Sequence, residues 1–184
     1  GTGQFAATAL NLVGSWVLGQ HQRLLTDEAA RMPQLRETIN KHLKLDYLVT
    51  GSWSQKAAAE ATRLLGPRHV NIATDARKHS ADGKFGNIPD ESTWTLSHNA
   101  AMVYYCDNET VDGVEFPAFP RVLEPGPDGS GPIVVADMSS NILSRRLPIR
   151  NFSLIFFGAQ KNLGTTGITI VVIKKSLLAQ PPPD

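Results

Sequence analysis

The sequence predicts an α/β domain of three layers built on a mainly parallel sheet. Three observations carry that prediction. Short β-branched and aromatic runs, at 46–50, 69–73, 101–106, 133–136, 153–157 and 167–173, are apolar on consecutive residues, the pattern of strands covered on both faces. Helical stretches or long crossings separate most of them, as parallel strands require. The composition is globular, 41% hydrophobic and 19% charged over 184 residues, the length of one domain.

In chain order, residues 4–18 are small and apolar (Phe5, Ala6, Ala9, Leu10, Leu12, Val13, Trp16, Val17) and predict a buried helix with glycines at its start. The stretch 21–44 is polar and mixed in charge. Leu35, Ile39 and Leu43 recur there at i+4 behind Pro33, which takes a helix-start position. That predicts a surface helix, either a partner-binding element or a solvated insertion. A strand over 46–50 ends at Gly51, and an alanine-rich helix over 53–65 is stopped by Gly66-Pro67. Strands follow at 69–73, 101–106 and 133–136, with an irregular stretch at 74–95. A loop passes through Asn108 and Gly113, and a Pro- and Gly-rich turn spans 124–132. Two last strands, 153–157 and 167–173, complete the sheet, and the final one is a candidate for antiparallel pairing.

Several function classes are excluded by composition. Lys plus Arg is 18 and Asp plus Glu is 17, a net charge of +1, which leaves no electrostatic footprint for nucleic acid. No apolar run reaches the ~18 residues of a membrane span. The single cysteine, Cys106, rules out an internal disulfide framework, fits a reducing compartment and reads as a packed core thiol. His21, His42, His69, His79 and His98 are scattered without metal-ligand spacing, so no metal site is expected. Neither a G-x-S-x-G elbow nor a complete Walker motif is present.

In open α/β sheets, ligands bind beyond the carboxyl ends of the strands. The polar strings there are Thr50-Gly51-Ser52-Trp53, Asp107-Asn108-Glu109-Thr110, Asp137-Met138-Ser139-Ser140-Asn141 and Gly158-Ala159-Gln160-Lys161-Asn162. Lys161 follows a buried apolar run, where a lone cation is costly. It either reaches the surface, pairs with a carboxylate, or serves as an amine nucleophile toward a carbonyl. Asp137 ends a neighbouring apolar strand, as a loop carboxylate or as the partner of a cofactor nitrogen. An Asp and a Lys on adjacent strand ends fit a pyridoxal phosphate site. Gly1-Thr2-Gly3 before a helix is a simple turn or a phosphate cradle. Trp53 is either core or a platform for a planar ring.

Read together, these strings resemble the phosphoserine aminotransferase family. The resemblance rests on Gly3-Gln4-Phe5-Ala6-Ala7, Leu10-Asn11-Leu12 and Thr50-Gly51-Ser52-Trp53-Ser54. It continues through the run from Tyr104 to Phe116 with its Asn108-Glu109-Thr110, then Ala136-Asp137-Met138-Ser139-Ser140-Asn141 and Gly158-Ala159-Gln160-Lys161-Asn162-Leu163-Gly164. It implies the large domain of a fold-type I, pyridoxal-phosphate-dependent transferase. The implied reaction moves an amino group between L-glutamate and 3-phosphohydroxypyruvate, giving O-phospho-L-serine and 2-oxoglutarate in serine biosynthesis. By matching positions, Lys161 is expected to attach the cofactor and carry the proton, Asp137 to hold the pyridine nitrogen and Trp53 to stack on the ring. Thr110 is expected on the ring's hydroxyl side, and Gly1, Thr2 and Gln160 at the phosphate. A cytoplasmic enzyme, homodimeric when full-length, is implied as well.

Residues 1–184 are therefore expected to be a cofactor-binding large domain, incomplete for want of the family's N-terminal segment and C-terminal small domain. The link from Leu18 to Asp46 is roughly twenty residues longer than in compact members, so a surface insertion is expected at 19–45. Two alternatives stand beside this reading: a catalytically incompetent fragment, and another fold-type I enzyme such as a desulfurase-like member, against which the Asn-Glu-Thr string argues.

Overall fold

The computed structural model describes residues 2–24 and 28–178, with side chains over 12–24 and 31–178. Two helices lead, α1 (Thr2–Arg23) and α2 (Glu28–His42). Strand β1 (Leu45–Val49), helix α3 (Ser52–Leu65) and strands β2 (Val70–Asp75) and β3 (Met102–Cys106) follow. A small hairpin, β4 (Asn108–Glu109) and β5 (Val114–Glu115), precedes β6 (Val134–Asp137), β7 (Leu154–Gly158) and β8 (Thr169–Ile173). A short helix, α4 (Lys175–Leu178), closes the described chain.

The main sheet has the order β2-β1-β3-β6-β7-β8. The first five strands are parallel and β8 runs antiparallel to β7, as anticipated for the last strand. Consecutive apolar residues point to opposite faces. Tyr47, Met102, Tyr104, Val135 and Phe156 therefore join Leu12, Leu43, Ala57, Ala58 and Ala61 in a core under the helices. Leu48, Val103, Tyr105, Val134, Ala136 and Phe157 form the second core with Trp94, Phe116, Phe119, Leu123 and Phe152. The helical layer lies on one face, and irregular segments cover the other. On the helical face the Tyr47, Tyr104 and Phe156 rings form a row with centroids 5.4 and 6.4 Å apart.

Three expectations are corrected. Pro33 lies inside α2 rather than at its start, because the helix begins five residues earlier; the Leu35 side chain is buried all the same and Ile39 packs against the core. Helix α1 is half-buried along most of its described side chains, with Leu12 the buried one, although it packs against α2 and α3. Strand β8 is not covered on both faces. Val171 and Val172 are 48% and 43% exposed, because the strand is the sheet's edge. Helix α3 ends where the sequence says it should, at Gly66 with φ +89°, a conformation that a side chain disfavours.

Candidate active site

The strand order fixes where a ligand can sit. From β1 the chain crosses through α3 to β2 on one side, and β3 lies on the other. The carboxyl ends of β1 and β3 therefore open a crevice at the switch in strand order. The loop after β1 and the start of α3 supply Trp53, and the hairpin after β3 supplies Glu109 and Thr110. The neighbouring ends of β6 and β7 supply Asp137 and the turn that carries Lys161.

Lys161 is exposed, and its amine donates to Thr110 Oγ1 at 3.2 Å. The cost expected of a buried lone cation does not arise, because the turn after β7 carries the side chain out of the core. That turn is held by Leu163 and Gly164 N–H donating to the Ala159 carbonyl, and by Asn162 Nδ2 donating to the Ile142 carbonyl at 2.8 Å. Gln160 is exposed on the same turn. Trp53 is 44% exposed at the first turn of α3, so it is no core residue. The Lys56 ammonium lies 4.7 Å from its ring centroid, a cation–π contact that the sequence did not disclose.

Asp137 accepts both the N–H and the hydroxyl of Ser139 on Oδ1, at 2.9 and 2.6 Å. Burial pushes its carboxyl above the usual range; the Ser139 hydrogen bonds and the Lys161 charge oppose that. Ser139 Oγ also accepts the Gly158 N–H at 3.3 Å, tying the end of β6 to the end of β7. Cys106, on β3 directly beside Asp137, is the buried thiol anticipated, pushed up by burial and then by the carboxylates of Asp137 and Glu109.

Two carboxylates that the sequence displayed, but to which it assigned no role, organise the crevice. Glu109 is fully buried and accepts the backbone N–H groups of Trp53 and Ser54, both at 2.8 Å. Asp112 accepts Ser52 N–H at 2.6 Å and Ser52 Oγ at 3.1 Å. Their signal was faint: carboxylates just past an apolar strand, with partners more than fifty residues away. Beyond them, Asp107 Oδ2 accepts Asn141 Nδ2 and Arg145 Nη2, each at 2.6 Å, and Asn141 Nδ2 also reaches Glu115 Oε1 at 2.8 Å. These bonds pin the hairpin to the segment behind Asp137.

Of the expected site residues, Trp53 and Thr110 flank the β1/β3 crevice, and Asp137, Gln160 and Lys161 lie at the ends of β6 and β7. The Lys161–Thr110 hydrogen bond joins the two groups. Gly1 and the Thr2 side chain lie outside the described residues. Among the described residues no cluster of His, Cys, Asp and Glu could hold a metal, and no helix is long and apolar enough to cross a membrane.

The mainly parallel sheet thus carries an exposed lysine, a half-buried aspartate and an exposed indole at its strand ends, and the chain's sequence matches the model of the class-V aminotransferases. The chain belongs to that family, whose model matches residues 29–184. It is similar to the phosphoserine aminotransferase of Drosophila melanogaster, at 39% identity over 98% of this chain and 38% of that protein. The enzyme of the same name from Saccharomyces cerevisiae is 47% identical over 76% of this chain and 35% of its own. Among solved structures, PLP-bound phosphoserine aminotransferase from Trichomonas vaginalis aligns with a TM-score of 0.61 at 40% identity, over 79% of this chain and 37% of that one. The phosphoserine aminotransferase of Bacillus circulans subsp. alkalophilus aligns at 0.62 and 35% identity, over 74% of this chain and 34% of that one. The chain thus spans less than two-fifths of the length of each of these four proteins.

Proposed function

We propose that this chain is the pyridoxal-phosphate-binding large domain of a phosphoserine aminotransferase, spanning 1–184 with an insertion at 19–45. The whole enzyme moves an amino group from L-glutamate to 3-phosphohydroxypyruvate, giving O-phospho-L-serine and 2-oxoglutarate. The observation that carries this reading is the meeting of Lys161 with Thr110 across the crevice, 3.2 Å apart, with Asp137 and Trp53 on the neighbouring strand and helix ends.

The residues fit a flat, cationic ring bearing a phosphate. The indole of Trp53 is exposed for stacking. Asp137 takes both Ser139 donors on Oδ1, and among the described residues no hydrogen bond occupies Oδ2, which suits a ring N–H. When bound, pyridoxal phosphate supplies an electron sink for the pair left by a departing α-proton. Lys161 anchors the cofactor and then, as a free amine, takes the α-proton and delivers it. Asp137 holds the proton on the ring nitrogen, and an amide could not do this. Thr110 hydrogen-bonds the ring's hydroxyl side and orients the Lys161 amine. The family resemblance assigns Gly1, Thr2 and Gln160 to the phosphate. A homodimer in the cytoplasm completes the reading for the full-length enzyme.

Borohydride reduction of the full-length protein with pyridoxal phosphate, followed by peptide mapping, tests the assignment. The label is expected on Lys161, and a label on Lys56 or Lys174 instead would overturn it. A coupled assay with glutamate and 3-phosphohydroxypyruvate tests the substrates; turnover with another amino acceptor alone would favour a different fold-type I enzyme.

A further inference from the structure

We propose that Glu109 is a positioning residue that clamps the stacking platform Trp53 to Thr110, and through Thr110 to Lys161, in one rigid frame. The proposal rests on the pyridoxal phosphate reading above. Its structural premise stands on the hydrogen bonds alone.

The first N–H groups of a helix lack intrahelical acceptors. In α3 three successive ones, of Ser52, Trp53 and Ser54, end on carboxylates of the β4–β5 hairpin. The next, of Gln55, donates to the Gly51 carbonyl. The start of α3 is therefore full, and a cofactor phosphate has to be held elsewhere. Carboxylates suit this end of a helix electrostatically, but a local Ser at position 51 would cap it without burying a charge. The chain has glycine there instead. A Cβ on Gly51 would overlap Cβ, Cγ and Cδ of Glu109, so the glycine makes room for the distant carboxylate.

What the distant carboxylate adds is coupling. Glu109 is one residue from Thr110 and bonds directly to the backbone of Trp53, 56 residues away in sequence. Among the described residues it forms no ion pair, so both oxygens are committed to α3. With the Thr110–Lys161 bond, this makes a continuous path from the stacking ring to the reacting amine. Glutamine cannot replace it. Its amide nitrogen would face a backbone N–H, donor against donor.

The test uses the full-length protein with 5-fluorotryptophan incorporated, the Trp53 resonance being assigned with Trp53→Phe. In the cofactor-free protein, Glu109→Gln is expected to shift and broaden the Trp53 fluorine signal. Trp94, buried in the opposite core, should keep its own. Titration with pyridoxal phosphate should give an affinity about tenfold weaker, the equivalent of about 1.4 kcal/mol. The decisive variant is Glu109→Gly with Gly51→Ser, which removes all three overlapping carbons and supplies a local cap in the space vacated. It should recover thermal stability while leaving the Trp53 signal and cofactor affinity impaired. Recovery of all three would make Glu109 a mere helix cap, and an unchanged Trp53 signal in Glu109→Gln would equally overturn the clamp. A Trp53 signal that ignores pyridoxal phosphate in the unaltered protein would overturn the cofactor reading itself, whatever the variants do.

Discussion

Replacing Arg145 by Met should destabilise the protein strongly, and in a pH-dependent way. The Arg145 guanidinium lies 2.6 Å from Asp107 Oδ2, and the Asp107 side chain is 1% exposed. Burial holds that carboxyl above the usual range even with Asn141 and Arg145 donating to it. Methionine fills similar space without charge and strands the carboxylate. Removing one partner of a buried pair costs about 3–5 kcal/mol. The retained Asn141 bond favours the lower end, about 3 kcal/mol at pH 8. For a chain of this size that is about 6–12 °C in melting temperature.

The sign of the pH dependence follows from the raised folded-state pKa. Without Arg145 the Asp107 carboxyl rises further above its unfolded value of about 3.9. The variant's penalty is then full above the folded pKa and shrinks as pH falls toward the unfolded one. Thermal unfolding followed by near-UV circular dichroism at pH 8 and pH 4.5 should show a large gap from the unaltered protein at the first and a small one at the second. Adding Asp107→Asn should recover more than half of the loss at pH 8. A loss below about 1 kcal/mol, or one equal at both pH values, would refute the reasoning.

Three further outcomes are expected. Asp137→Asn keeps the acceptor for Ser139 and removes a carboxylate raised by burial; the cofactor-free protein should be at least as stable at pH 8, the advantage fading toward pH 4. Turnover of the full-length enzyme should collapse, and near-parental turnover would remove Asp137 from the ring. Trp53→Ala, at a residue 44% exposed, should weaken cofactor binding about tenfold, as loss of one stacked ring of roughly 1–1.5 kcal/mol implies, while the melting temperature moves little; equal affinity by absorbance titration would exclude stacking. Phe156→Ala, at 2% exposure in the aromatic row, should cost about 3–5 kcal/mol, against about 0.5 kcal/mol or less for Val171→Ala on the exposed edge. Denaturant melts of the two variants compare them directly.

The sheet was legible because both of its faces are buried over β1, β3, β6 and most of β7, so the strands are apolar without alternation. The same rule misled at β8. Ile170, Val171 and Val172 look like an interior run, but sequence does not say which strand ends up at the edge. Proline misled at α2, where the backbone tolerates Pro33 inside the helix. Lys161 and Asp137 could be singled out because one residue type at a strand end is chemically unusual, and the structure sets both at the ends of neighbouring strands. What stayed hidden was the site's scaffold. Ser139, Glu109 and Arg145 act through hydrogen bonds across 19 to 56 residues of sequence, and periodicity has no term for such pairs.

That scaffold also separates the strand-end carboxylates by what balances them. Asp107, Glu109 and Asp137 are all raised by burial, so each needs something to hold its charge. Asp107 has the Arg145 guanidinium in contact. Glu109 has two backbone N–H groups at the positive end of a helix. Among the described residues Asp137 has in contact only the neutral donors of Ser139, both on one oxygen, with the Lys161 charge acting without a hydrogen bond. A cation seated against its other oxygen would do for Asp137 what Arg145 does for Asp107, and would draw its carboxyl down toward the ordinary range. A protonated pyridine nitrogen is such a cation. Binding should therefore release the proton that Asp137 retains at low pH. Pyridoxal phosphate affinity of the full-length protein should fall below neutral pH through the Asp137 titration, and Asp137→Asn should abolish that part of the slope. An unaltered slope in the variant would assign the titration to another group and leave the ring nitrogen without this partner.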